Sequence, residues 1–471
     1  MRRLTAIVAT LPLLLAACGA GAVGTAGAGK GTAAAGSGFY VSPAGSDSNP
    51  GTRAAPFATL GHAQQAMADS AIKTTYLEAG TYNMARGLVL TAADNGETWR
   101  YYAPDGVDSA VLDGGGSVRG GVISVQGGSN ITIDGLKVQH FNDYGITVTG
   151  GPHAEFGGPS AAASGNTIEN CEVSNTGGRA AWNTGGIEFF DSTPNSTISH
   201  NYVHDMPYNG LSMTTWFSAD DPIGGSVIKG NVVIDTVHVT DGGAIAVAMH
   251  GGYQAPPHGV QILNNYVSGY GGPGVGGVTA IYLDDNANNV LVSGNVIGPA
   301  APGAGTNATE NGAPRNDVEA FEIHNGHDNT ITGNIVDLGS SGTEQVALYF
   351  RDNGAIAGMA GNALTNNIII GNYHGNATTQ SGYAYSQNGA ASDYTIQNNA
   401  YYNYSGGRIL TTGRLASDRN PVLENPQLSG AAYAIAPGSP VRDGPVSFTP
   451  LVGGWGPPGF VIPSNGLASV Q

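Results

Sequence analysis

Lysine is nearly missing from this chain. Only Lys30, Lys73, Lys137 and Lys229 occur, and 17 basic residues stand against 34 acidic ones, for a net charge of −17. A surface this acidic repels polyanions, which excludes nucleic acid as a partner. It also counts against a pectate, alginate or other uronate substrate unless calcium bridges the charges. No Gly-rich nonapeptide calcium repeat is present. Cysteine is scarcer still: Cys18 and Cys171 cannot make a disulfide framework, so apolar packing alone must hold the fold. Long apolar runs are missing as well, and the stretch from Leu11 to Ala17 is too short to cross a bilayer. Helical patterning occurs once, from Phe57 to Ser70, where Leu60, Ala63 and Met67 share a face.

What fills the chain instead is a repeat. An Ile, Leu or Val is followed three residues later by Asn in Ile198…Asn201, Ile228…Asn231, Ile262…Asn265, Val292…Asn295, Ile331…Asn334, Leu364…Asn367 and Ile396…Asn399. Cys171 and Leu136 hold the Asn position in two earlier lines. The steps from Leu136 are 35, 30, 30, 34, 30, 39, 33 and 32 residues. A period of this size marks a stacked solenoid. The Asn column reads as scaffold, because Asn tolerates a left-handed corner and stacked amides bond along the column. Cys171, at the same corner, reads as a buried and inert thiol.

A second, alternating segment follows most Asn lines, as in Gly186-Ile187-Glu188-Phe189 and Ala320-Phe321-Glu322-Ile323. Period-two alternation argues for strands with one buried face, so each repeat holds at least two short strands. The fold class is therefore all-β, a single-stranded parallel β-helix, with the helix at Phe57–Ser70 capping its N-terminal end and Tyr76 to Tyr82 as the first rung.

The opening Phe39-Tyr40-Val41-Ser42-Pro43-Ala44-Gly45-Ser46-Asp47, with Asn49-Pro50-Gly51-Thr52 and Pro56-Phe57-Ala58-Thr59-Leu60, resembles the start of the right-handed parallel β-helix superfamily, which includes pectate-lyase-like folds and several glycoside hydrolases. The closing Asn420-Pro421-Val422-Leu423 and Ala436-Pro437-Gly438-Ser439-Pro440 is similar to its end. The resemblance implies a right-handed coil and covers nearly all of the chain after the leader.

That leader carries Arg2 and Arg3, an apolar run and Leu15-Ala16-Ala17-Cys18, which matches a bacterial lipobox. The expected organisation is a signal peptide at 1–17, a Gly/Ala-rich tether at 18–37, the β-helix at 38–417 and an irregular cap or tail at 418–471. Lipidation of Cys18 would place the protein outside the cytoplasm on a bacterial membrane. The segments Gly251–Gly259 and Pro299–Asp317 break the repeat and are expected to wall a binding site.

Stacking turns sequence positions into columns. One outward column reads Thr147, Glu188, Ser212, Ala246, Tyr282, Glu322, Tyr349; the next reads Thr149, Phe190, Thr214, Ala248, Asp284, His324, Arg351. Three consecutive coils thus bring acids, a His, an Arg and two Tyr to one face, beside a hollow at Ser212, Ala246 and Ala248. Glycoside hydrolysis needs two carboxyl groups about the scissile bond. Asp284 and Glu322 are the expected catalytic pair, about 8 Å apart on the diagonal of rung and strand spacings, a separation that overlaps retaining and inverting geometry. Glu322 takes the acid/base role and Asp284 that of nucleophile or base. Glu188, Trp216, Asp241, His250, Tyr282, His324, Tyr349 and Arg351 are the expected substrate contacts.

The resulting expectation is an extracytoplasmic glycoside hydrolase acting on a neutral polysaccharide or oligosaccharide, with no metal ligand set and no cofactor, calcium being admissible only at Asp284-Asp285. A polysaccharide lyase or uronate epimerase is the rival enzyme class. A non-catalytic glycan-binding or adhesive β-helix is the rival outside enzymes.

Overall fold

A computed structural model describes residues 37–102, 109–151, 161–175, 184–217, 219–220, 222–310, 313–314, 317–339, 345–351, 359–371, 385–388, 394–403, 418–430, 433–443 and 454–462. The lipobox and tether lie outside these residues. Among those described, no helix is long and apolar enough to cross a membrane.

Among the described residues, the alternating segments form three long parallel sheets of 12, 11 and 10 strands. One coil shows the path. Thr197–Ser199 lies in the first sheet, Tyr202–His204 in the second and Leu211–Thr215 in the third. Each pairs in register with its copy one coil on: Ile198 with Ile228, Val203 with Val233 and Leu211 with Ile245. The coil therefore has three strands. The one directly after the Asn is only three residues long, too short to display alternation. Inward residues such as Ile198, Val203, Leu211 and Met213 stack with their copies into one continuous apolar core.

The Asn column forms a ladder. Asn201, Asn231, Asn265, Asn295, Asn334 and Asn367 each donate Nδ2 to the Oδ1 of the next, at 2.9–3.0 Å. Each also donates its backbone N–H to that same oxygen at 2.8–3.0 Å. The left-handed residue is not the column Asn but the one before it, as at His200 (φ 54°), Gly230 (φ 65°) and Asn264 (φ 50°). The corner thus divides two jobs: one residue turns the chain and the next satisfies the backbone groups exposed by the turn. Cys171 keeps only the backbone half, donating N–H to Asn201 Oδ1 at 2.9 Å. Its thiol is buried and unoxidised, and burial pushes its pKa up to about 12.

The helix runs over Leu60–Ala68, capped by the Thr59 hydroxyl on His62 N–H, with Leu60, Ala63 and Met67 buried. The first rung begins earlier than the periodicity implied, because Phe39–Val41 pairs in parallel with Thr74–Leu77. At the other end, stacking continues past residue 417. Arg419 bridges to Gln397 and Val422 to Ala400. Beyond them, Leu428, Tyr433, Val441 and Trp455 lie along the outer face of the second sheet.

Candidate functional site

The third sheet carries the site, and both outward columns form as the repeat dictates. Glu188 pairs with Ser212, Ser212 with Ala246, Ala246 with Tyr282, Tyr282 with Glu322 and Glu322 with Tyr349. In the neighbouring column Phe190 pairs with Thr214, Thr214 with Ala248, Ala248 with Asp284 and His324 with Arg351. Small residues at Ser212, Ala246 and Ala248 leave a cavity of about 310 Å³. Glu188 lines one part of it and Asp284 another, while Tyr144, Tyr208, Trp216 and Phe217 supply aromatic walls. His250 and Tyr282 complete the Asp284 side.

At that side lies a hydrogen-bonded cluster. Asp284 Oδ1 is 2.7 Å from His324 Nδ1 and accepts the Asp285 backbone N–H at 2.9 Å. Asp285 Oδ2 is 2.9 Å from His250 Nδ1, and its Oδ1 accepts from Asn325 Nδ2 at 3.0 Å. The Tyr282 hydroxyl is 3.3 Å from His324 Nδ1. The His250 hydrogen bond holds Asp285 down at a pKa of about 2 against the effect of burial. For His324, burial favours the neutral ring, but the bond to Asp284 and the charges of Asp284 and Asp285 outweigh it, and its pKa is raised. Asp285 is therefore ionised at neutral pH, and His324 holds its proton more firmly than a free imidazole does. Trp216 stacks on His250 at 4.2 Å between ring centroids and stays 44% exposed, as a platform at the mouth.

Glu322 is the more enclosed member of the expected pair. It keeps its column position but is 1% exposed and does not line the cavity. Its Oε2 accepts from Thr279 Oγ1 at 3.2 Å, and its Oε1 lies 3.6 Å from Arg351 Nη1. Tyr282 and Tyr349 stand on the rungs either side of it in the same column. Glu322 thus faces Arg351 across the rung boundary. Tyr349 and Arg351 are half-buried and, like His324, lie outside the cavity lining; Asp241 is exposed and also outside it.

The walls differ from expectation too. No described residue of Gly251–Gly259 or Pro299–Asp317 lines the cavity. Ala255 is tied inward by its N–H to Asn288 Oδ1, and Ala300 and Ala304 join the core. Tyr144, Tyr208, Asn209 and Phe217 take the place assigned to these segments. Tyr144 and Asn209 had a usable signal. Each precedes the inward Gly of its strand, as Gly185 does, while Gly243 precedes Ala244, and this position is a third outward column.

Asp284, Asp285 and His324 each offer one donor atom, all within 4.8 Å of one another. The set does not fit calcium, which takes about six to eight oxygen ligands. One donor here is a nitrogen, already engaged with Asp284 at 2.7 Å.

The three stacked sheets define a parallel β-helix protein. Residues 120–313 match the family described as "Right handed beta helix region", and over that stretch the stacked coils are those of a right-handed parallel β-helix. No curated protein matches the sequence. Similar solved structures include "The complex structure of XylC with xylose" (11% identity, TM-score 0.46, covering 83% of this chain and 87% of that one). Another is the Azotobacter vinelandii mannuronan C-5 epimerase AlgE6 A-module (14% identity, TM-score 0.43, 78% and 94%). A third is a rhamnogalacturonan lyase (13% identity, TM-score 0.41, 89% and 99%).

Proposed function

We propose that the protein is a carbohydrate-active enzyme that hydrolyses a neutral glycan, with one sugar ring held in the third-sheet cavity and the reacting bond at its Asp284 side. The observation that carries this reading is an aromatic cavity lined by two carboxyl side chains and, among the described residues, by no Lys or Arg. Aromatic walls suit the apolar faces of a pyranose ring. A uronate carboxylate would enter such a cavity without a cation to neutralise it. Asp284 is the group that meets the reacting centre, and His324 is its proton partner. Asp285 orients His250, which reaches the cavity wall. Glu188 cannot act on the same bond as Asp284. Three rungs and two strand positions separate them, about 16 Å between β-carbons, whereas paired catalytic carboxylates stand about 5–9.5 Å apart.

One arrangement favours a second reading, elimination on a uronate. Tyr282, His324 and Arg351 form a base-and-cation grouping beside Asp284. Arg351, however, already faces Glu322. Incubation with mixed glycans separates the outcomes. Hydrolysis gives new reducing ends without ultraviolet-absorbing unsaturated sugars, elimination gives both, and a binding module gives neither. The reading also places the protein outside the cytoplasm, anchored through a lipid on Cys18. Radiolabelled fatty acid should enter the wild type and not Cys18→Ser.

A further inference from the structure

Glu188 sits where an acid has no structural need to be. It is 2% exposed, and it lines the cavity. Its Oε2 accepts a hydrogen bond from the Ser212 hydroxyl, one rung on. Its Oε1 has no hydrogen-bond partner among the described residues. The space for this side chain comes from a missing one: a β-carbon at Gly185 would lie 2.0 Å from Glu188 Oε1. On the preceding rung Thr147 occupies the same column position. The other titratable groups of the cavity are the hydroxyls of Tyr144, Tyr208 and Tyr282 and, at the far side, His250 and Asp284.

A buried carboxyl oxygen left without a partner destabilises the fold, and more so if charged. Such a group persists when a bound molecule meets its hydrogen-bonding capacity. Ser212 already donates to one oxygen, so the other carries the proton and presents an O–H with nothing to receive it. From this geometry we infer that Glu188 is the specificity-determining residue of the cavity, a neutral carboxylic acid whose Oε1–H donates to an uncharged oxygen of the bound sugar. Burial raises its pKa to about 8, and the Ser212 hydrogen bond offsets only part of that shift. The donor is therefore present at neutral pH. It requires an acceptor such as a ring oxygen, a hydroxyl or an acetamido carbonyl. The inference deepens the neutral-sugar reading and rests on it, but it assigns to Glu188 recognition rather than chemistry.

The test uses Asp284→Asn protein, so that turnover does not consume the probe, with Glu188, Glu188→Gln and Glu188→Ala. Xylotriose, cellotriose, laminaritriose and chitotriose are titrated by calorimetry at pH 6 and pH 9. The amide of Gln keeps a donor at every pH. Glu188 protein should bind at least one of these sugars at pH 6 and lose about tenfold in affinity by pH 9. Glu188→Gln should bind equally at both pH values, and Glu188→Ala weakly at both. Equal affinity of all three at pH 6 overturns the role of Glu188 while leaving the sugar site intact. Failure of all four sugars to bind overturns the neutral-sugar reading and this inference with it. A ligand-free measurement stands apart from both. Infrared difference spectra between pH 6 and pH 10, recorded in a Glu97→Gln background, should show a protonated carboxyl band that Glu188→Gln removes; a spectrum unchanged by Glu188→Gln shows Glu188 to be ionised and sinks the proposal.

Discussion

Burial and connection decide what a carboxylate does here. Glu97 is as enclosed as Glu188 and its pKa is raised to about 7 by burial, with the nearby Asp94 adding to the shift, yet it lines none of the described cavities. Trp99 Nε1 donates to it at 3.1 Å, and its role is internal. A carboxyl with a raised folded pKa favours folding while the unfolded chain is still protonated. That contribution is lost as pH climbs from the ordinary carboxylate value through about 7. Wild-type stability should therefore fall by about 1–3 kcal/mol across this window relative to Glu97→Gln, as chemical denaturation at pH 4.5 and pH 8 would reveal. Asp284 and Glu322 make the opposite contrast. Asp284→Asn should cut kcat about 10²–10⁴-fold with an unchanged unfolding midpoint. Glu322→Gln should cost stability first, through the loosened Arg351, and leave more activity than Asp284→Asn. The reverse order of activities would restore Glu322 to the chemistry. The sequence made their shared face legible because register follows from period. It could not tell which acid the neighbouring Tyr and Arg would enclose, since that depends on side-chain direction above the sheet.

At the scale of the element, the Asn ladder was legible because an amide repeated at fixed spacing has few other uses. The left-handed residue before it was not, since Asn, Gly and His all fill that position. The ladder ends on Asp418, whose Oδ2 accepts from Asn399 Nδ2 at 2.7 Å and from the Tyr401 hydroxyl at 2.6 Å. A carboxylate terminates an amide column well, because it accepts without needing to donate. Asn265→Ala would remove the Asn265 bonds to Asn295 Oδ1 and Ile228 O and strip Asn231 of its acceptor. The expected loss is about 2–4 kcal/mol in a denaturant titration. Cys171→Asn should do the reverse and add stability, since the Asn201 oxygen below it awaits a second donor. A destabilised Cys171→Asn would mean that the amide does not fit beneath Ile133.

Across the whole molecule, one more column explains the C-terminal segment. The residue after each column position points outward from the second sheet. It runs Lys137, Glu172 and Tyr202, then Val232, Tyr266, Val296, Ile335, Ile368 and Ala400. The change from charged to apolar begins where the tail lies. Trp455 packs on Tyr266 at 5.5 Å, Phe460 on Tyr202 at 4.6 Å, and Tyr433 donates to Asp337 at 2.8 Å. An uncovered apolar stripe of this length would invite association, so a covering segment is what the stripe demands. Its presence was readable from the column, but its path was not, because the tail has no repeat of its own. Two truncations separate its tasks. Ending the chain after Asn425 removes the cover but keeps Asp418 and Val422 on the last coil. That protein should bind hydrophobic dye and self-associate while unfolding near the wild-type midpoint of the core. Ending it after Ser417 also removes the final acceptor of the ladder, and its melting should begin at a lower temperature as the last coil frays. Identical melting and dye binding for both proteins and the wild type would mean that the tail neither shields the stripe nor closes the ladder.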